Sequence, residues 1–100
     1  MKISVIIPHF NSLSKLKRLI ETIPEDENIE VIVIDDRSKY EEKPTHAVLK
    51  KNIQLLSNES GVKGAGTCRN IGLSKAKGDF VIFADSDDYF TPDAFNIIQL

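Results

Sequence analysis

Phe80-Val81-Ile82-Phe83-Ala84-Asp85-Ser86-Asp87-Asp88 runs from five apolar residues directly into three carboxylates within four positions. Bounded by Gly78 upstream and Thr91-Pro92 downstream, the apolar run reads as a buried strand covered on both faces. Its acidic end is then a site candidate. Asp85 and Asp87, two residues apart, can converge on one divalent cation, and hard oxygen ligands of this kind suit magnesium or manganese. The alternative is that the acids solubilise a turn and cap the following helix, a task that Thr91 or Asp93 would also perform.

The same succession of apolar run and polar connection recurs upstream. Ile3 to Ile7 is a first strand closed by Pro8, whose missing N–H ends its pairing. Asn11 or Ser12 caps a helix in which Leu13, Leu16, Leu19, Ile20 and Ile23 recur at helical spacing, and Pro24 stops it. Ile29 to Ile34 is a second buried strand that runs into Asp35-Asp36-Arg37-Ser38. Glu41 to Lys50 reads as a helix with Ala47, Val48 and Leu49 inward, Ile53 to Leu56 as a third strand, and Ser57 to Gly66 as a polar loop. A helix from about Thr67 to Lys77 closes at Gly78 as a left-handed cap. Phe80 to Ala84 is the fourth strand, after which Thr91 caps and Pro92 opens a last helix. Strands alternating with helices imply right-handed crossovers and a parallel, three-layer α/β sheet. Ligands bind beyond the C-terminal ends of such strands, which gathers Pro8 to Asn11, Asp35 to Ser38 and Asp85 to Asp88 at one rim.

At 100 residues the sequence reads as one domain, with no internal repeat, low-complexity segment or linker. Thirteen basic against fifteen acidic residues give a net charge of -2, so nothing in the bulk electrostatics draws the chain to nucleic acid or an anionic membrane. Cys68, the only cysteine, excludes an internal disulfide, suits a reducing cytoplasm and reads as small helix packing. No apolar run is long enough for a signal peptide or a transmembrane segment. Gly61, Gly64 and Gly66 suggest a phosphate loop, but a dinucleotide fingerprint belongs after the first strand and a P-loop ends in lysine followed by serine or threonine. Neither condition holds. His9 and His46 lack metal-ligand spacing to each other or to Cys68, and His46 reads as a solvated helix residue. Arg69 lies near the start of a helix after the glycine loop, where a guanidinium could reach an anionic ligand; a surface ion pair is the alternative.

Four segments taken together, Ser4-Val5-Ile6-Ile7-Pro8-His9-Phe10-Asn11, Val33-Ile34-Asp35-Asp36-Arg37-Ser38, Gly61 followed by Arg69-Asn70-Ile71-Gly72-Leu73, and Phe83-Ala84-Asp85-Ser86-Asp87-Asp88, resemble the ordered motifs of family 2 glycosyltransferases over essentially the whole chain. The resemblance implies the GT-A fold, a Rossmann-like α/β sheet with strand order 3-2-1-4, of which residues 1–100 would be the N-terminal, donor-binding part. It implies an enzyme that passes a sugar from a nucleotide-diphosphate donor, usually a uridine diphosphate (UDP) sugar, to a hydroxyl of a glycan or lipid-linked acceptor, with Mn2+ or Mg2+. The reaction would belong to polysaccharide or glycoconjugate synthesis in the cytoplasm or at the inner face of a membrane. Carried over by motif, Pro8 and His9 line the base pocket partly through backbone atoms, Asp36 accepts from the uracil ring N–H, and Arg69 sits beside the nucleotide. Asp85 contacts the ribose or the cation's water shell, Asp87 binds the cation that bridges both phosphates, and Asp88 ligates or caps the next turn.

Two departures accompany the resemblance. Phe10 stands where the family commonly has tyrosine. The chain stops at Leu100, so the acceptor-binding half and the catalytic base are expected further on and the chain alone is expected to be inactive. Strand four, at a free sheet edge, invites self-association or a partner that completes the sheet. Competing functions are a non-catalytic nucleotide-binding or assembly module, which needs only what is present, a haloacid-dehalogenase-type phosphatase, whose motif has threonine or valine where Tyr89 stands, and a receiver-like module, whose acids would begin on strand one.

Overall fold

The computed structural model describes residues 1–49 and 52–95. Four strands, β1 (Ile3–His9), β2 (Ile29–Asp35), β3 (Gln54–Ser57) and β4 (Phe80–Phe83), alternate with helices α1 (Leu13–Glu21), α2 (His46–Leu49) and α3 (Ala65–Lys75), and a 3-10 turn spans Tyr40–Glu42. The strands form one parallel sheet in the order β3-β2-β1-β4, the order expected from the family resemblance. β1 pairs with β2 from Ile3 opposite Ile29 to His9 opposite Asp35. That register delivers both strands to the same rim.

Alternation along the two central strands sorts their side chains into two cores. Ile3, Val5 and Ile7 of β1 and Val31 and Val33 of β2 pack with Leu16, Leu19 and Ile20 of α1, while Ile6, Ile32 and Ile34 face Cys68 of α3. Helices therefore cover both faces, as a three-layer α/β architecture requires. Full burial of each Ile, Leu or Val contributes roughly 1.5–3 kcal/mol. Gly72 brings α3 close to the sheet: a Cβ there would lie 2.5 Å from Ile6 Cγ2 and 2.9 Å from Ile34 Cδ1. No helix among the described residues is long and apolar enough to cross a membrane.

Several boundaries differ from the sequence reading. β4 is not covered on both faces: Phe80 is 50% exposed and Phe83 46%, with Val81 also exposed, because among the described residues β4 is the sheet's outer strand, paired with β1 alone. It ends at Phe83 rather than Ala84. The helix expected over Glu41 to Lys50 divides into the 3-10 turn and α2, since Pro44 disfavours helical backbone at Lys43, whose ψ is 129°. Lys50 lies outside the described residues. α3 starts and ends two residues early, with Ala76 in extended conformation as its C-cap. Gly78 is not a left-handed cap, for only Gly61 and Gly64 among the glycines have positive φ. It serves close approach instead, its Cα facing Ser4 N and Lys2 O so tightly that a Cβ would fall within 2.9 Å of both. Neither Asn11 nor Ser12 caps α1 through its side chain; the Leu13 N–H donates to Glu42 Oε2 at 2.9 Å. Of the last helix, residues 94–95 are helical and the remainder lies outside the described residues.

Candidate functional site

The β1 and β2 ends are locked together by side chains that the strand register brings side by side. Ser12 N–H donates to His9 Nε2 at 3.0 Å, so Nε2 carries no proton and Nδ1 is the donor to Asp35 Oδ1, 2.9 Å away. Asp35 also accepts from the Ser38 hydroxyl at 2.6 Å and the Ser38 N–H at 3.0 Å. Asn11 N–H donates to Ser38 Oγ, and Lys39 N–H to Asn11 Oδ1. Asn11 holds left-handed backbone at φ 48° to close this ring of contacts, a conformation that asparagine tolerates well. The His9 side chain is thus consumed by the loop clamp, which leaves the backbone of residues 8–9 as what that strand end offers a ligand.

Asp36, next on β2's exit, is anchored differently. Its Oδ1 accepts from Asn58 Nδ2 and its Oδ2 from Gly64 N–H, each at 2.9 Å. Burial pushes the Asp36 carboxyl up, but the Asn58 and Gly64 hydrogen bonds and the Lys63 charge outweigh it and hold the group below the usual carboxylate range. Asp36 therefore stays an acceptor at neutral pH. The Cys68 thiol donates to it and is pushed up to about 11 by burial and by the charges of Asp36 and Asp35.

At the end of β4, Arg69 reaches Asp85 Oδ1 at 3.1 Å. With the two side chains 36% and 58% exposed, this pair contributes about 0–1 kcal/mol to stability, so orientation of the guanidinium matters more than its energy. Asp85 N–H donates to Asp88 Oδ2 at 2.8 Å, which makes Asp88 the cap of this turn. Ser86 Oγ donates to Pro8 O at 3.3 Å, and Arg18 to the Asp87 carbonyl at 3.3 Å.

Between these groups lies a cavity of about 170 Å³ lined by Pro8, His9, Phe10, Asp36, Cys68 and Asp85, among others. Three of the expected motifs thus share one rim, and the Arg69 guanidinium joins through Asp85. Asp87 does not line the cavity and lies exposed beside it. A larger open concavity of about 680 Å³ sits at the opposite end of the strands, around Lys2, Glu30 and Gln54, and gathers none of the motif residues. Sequence reading overlooked Asn58, Lys63 and the contact between Cys68 and Asp36. The Lys63 ammonium lies 4.1 Å from the centre of the Phe10 ring. Only Asn58 left a local signal, an asparagine two residues before a serine whose N–H it accepts.

Among the described residues no group of three or more His, Cys, Asp or Glu side chains is arranged to hold a metal by itself. Asp85 and Asp87 are exposed hard-oxygen donors, a set that suits a cation whose remaining positions go to water and a ligand's phosphates.

The family model of Glycosyl transferase family 2 matches residues 4–98. The chain belongs to this family. A poly(ribitol-phosphate) beta-N-acetylglucosaminyltransferase, TarS, of Staphylococcus aureus is 35% identical over 98 residues, 89% of this chain and 17% of the relative. A GalNAc(5)-diNAcBac-PP-undecaprenol beta-1,3-glucosyltransferase of Campylobacter jejuni is 33% identical over 103 residues, 98% of this chain and 33% of the relative. The chain thus spans a third or less of these relatives. Crystalline TarS residues 1–349 in complex with UDP-GlcNAc superimposes with a TM-score of 0.79 at 32% identity, covering 99% of this chain and 30% of that one. Glucosyl-3-phosphoglycerate synthase of Mycobacterium tuberculosis, solved with Mn2+, UDP and glucosyl-3-phosphoglycerate, shares the fold at a TM-score of 0.73 and 24% identity, covering 88% of this chain and 35% of that one. The family 2 chain accordingly has the sheet of GT-A glycosyltransferases, of which it covers a part.

Proposed function

We propose that these residues bind the donor of a glycosyl transfer, a nucleotide-diphosphate sugar and specifically a UDP-sugar, whose sugar passes to a hydroxyl of a glycan or lipid-linked acceptor in polysaccharide or glycoconjugate synthesis. The observation that carries this reading is the convergence of Pro8, Asp36 and Asp85 on one cavity at the strand ends. The anionic Asp36 accepts a ring N–H, as uracil can offer. The Pro8 and His9 backbone flanks the base, Arg69 sits beside the nucleotide, and Asp85 faces the ribose or the cation's water shell. Asp87 and Asp85 would hold Mn2+ or Mg2+, which when bound offsets the charge that gathers on a departing diphosphate. The chain's own part is to orient the donor. Its share of the relatives' length supports assigning the acceptor pocket and catalytic base to other parts of a transferase, so that these 100 residues transfer no sugar alone. A single buried, protonated cysteine and no disulfide support action in the cytoplasm or at the inner face of a membrane.

Asp36→Asn tests the base assignment. Both Asp36 oxygens already receive protein donors, so the amide presents an N–H where acceptors are needed. UDP affinity is expected to fall about tenfold or more, with pyrophosphate affinity in the presence of manganese within about twofold of the parent. An equal loss for both ligands would contradict base selection by Asp36.

A further inference from the structure

Asn58 is 1% exposed, and its amide is fully engaged. It donates to Asp36 Oδ1 and to Val62 O, each at 2.9 Å, and its Oδ1 accepts from Ser60 Oγ at 2.6 Å and Ser60 N–H at 3.1 Å. Its own N–H extends the β2 to β3 ladder by donating to Asp35 O at 2.8 Å. The loop 58–64 is therefore closed on itself and then onto Asp36, whose other oxygen takes the Gly64 N–H. Gly64, at φ 130°, makes that last contact possible, since side-chain-bearing residues rarely adopt such backbone.

We propose that Asn58 is a positioning residue for nucleobase selection: it tethers the loop 58–64 to Asp36 and fixes the direction in which the carboxylate's remaining acceptor position meets a base. The proposal deepens the donor-binding reading and rests on it. With Asn58 donating to Oδ1, Gly64 N–H to Oδ2 and the Cys68 thiol as a third donor, the carboxylate keeps one acceptor position for a ligand, and its orientation is set before the ligand arrives, so less ordering accompanies binding. The charged and titratable groups around Asp36 are Lys63 on the loop, Cys68 on α3, the His9–Asp35 pair beside it and Asp85 across the cavity. None of these can replace an amide that bonds carboxylate and loop carbonyl at once.

The test uses Asn58→Ala with two readouts on the whole chain. Titration of the Asp36 carboxyl by carbon-13 NMR without nucleotide should move upward toward the ordinary range. Calorimetry should show UDP binding weakened about tenfold, manganese pyrophosphate within about twofold, and the acid limb of UDP binding moved to higher pH. An unmoved Asp36 titration, or equal losses for UDP and pyrophosphate, overturns the proposal. If Asn58→Ala does not fold, Ser60→Ala removes a partner of Asn58 from the exposed side and should give a smaller shift of the same sign; no shift overturns it. If the parent chain binds no UDP, the donor reading fails, and the Asp36 titration alone decides whether the tether exists.

Discussion

Cys68 lies against Asp36, and burial together with the nearby carboxylate charges sets the state of its thiol. The thiol sits between the strand ends and α3, buried and facing two carboxylates, and is pushed up to about 11, so at pH 8 only about one thiol in a thousand is ionised. Alkylation of the native chain by iodoacetamide at pH 8 should be at least about a hundredfold slower than for an exposed cysteine, with the full rate recovered in denaturant. Native reactivity equal to that of a free thiol would contradict the burial. Asp36 obeys the opposite sign. Its carboxyl is held below its ordinary value, so its contribution to stability is present above about pH 4 and is lost as pH falls through the depressed value. These facts were only partly legible in the residues. Asp36 and Asp85 announced themselves as acids closing apolar runs, whereas Cys68 meets Asp36 across 32 positions of sequence through tertiary packing that no local pattern encodes. His9 reads as lining a pocket partly through its backbone and does line the cavity, while the register opposite Asp35, which no local pattern shows, spends its ring on holding two loops together.

Helix α3 shows how closely an element can be constrained by a missing atom. Gly72 packs against Ile6, a fully buried β-branched side chain with little rotamer freedom. Gly72→Ala gains about 1 kcal/mol of helix propensity and loses roughly 1–3 kcal/mol to overpacking. The net effect is expected to be destabilising by up to about 2 kcal/mol, seen as a lower Tm in thermal unfolding. An unchanged or raised Tm would show that the helix can lift from the sheet without loss. Element identity was readable because β-branched runs and the leucine spacing of α1 are local signals; the boundaries were not. Gly78 fits a helix cap as well as a close strand approach, and sequence offers no means of choosing between them. The apolar stretch of β4 read as doubly covered for a similar reason: hydrophobicity reports what a residue tolerates, while position in the sheet depends on which strands join it.

At the scale of the whole molecule, two central strands carry the core and the outer two carry the consequences. Among the described residues β3 and β4 bound the sheet, and β4 leaves Phe80, Val81 and Phe83 exposed beside a backbone edge that no described strand pairs. Such an edge is a template for another strand, so the chain is expected to associate with itself through β4, and light scattering at high concentration should report dimers or larger species. A strictly monomeric species would contradict edge pairing. The parallel order brings the exits of β1, β2 and β4 to one rim, which is why motifs far apart in sequence meet around Asp36 and Asp85. Donor binding at that rim is the central claim, and its electrostatics require a cation, because Asp85, Asp87 and Asp88 would otherwise repel a diphosphate. Calorimetric titration of the chain with UDP, in manganese and then in chelator, tests it most directly. Binding should be at least about tenfold tighter with manganese, and Asp87→Ala should remove that difference; equal affinity in manganese and chelator would contradict the account.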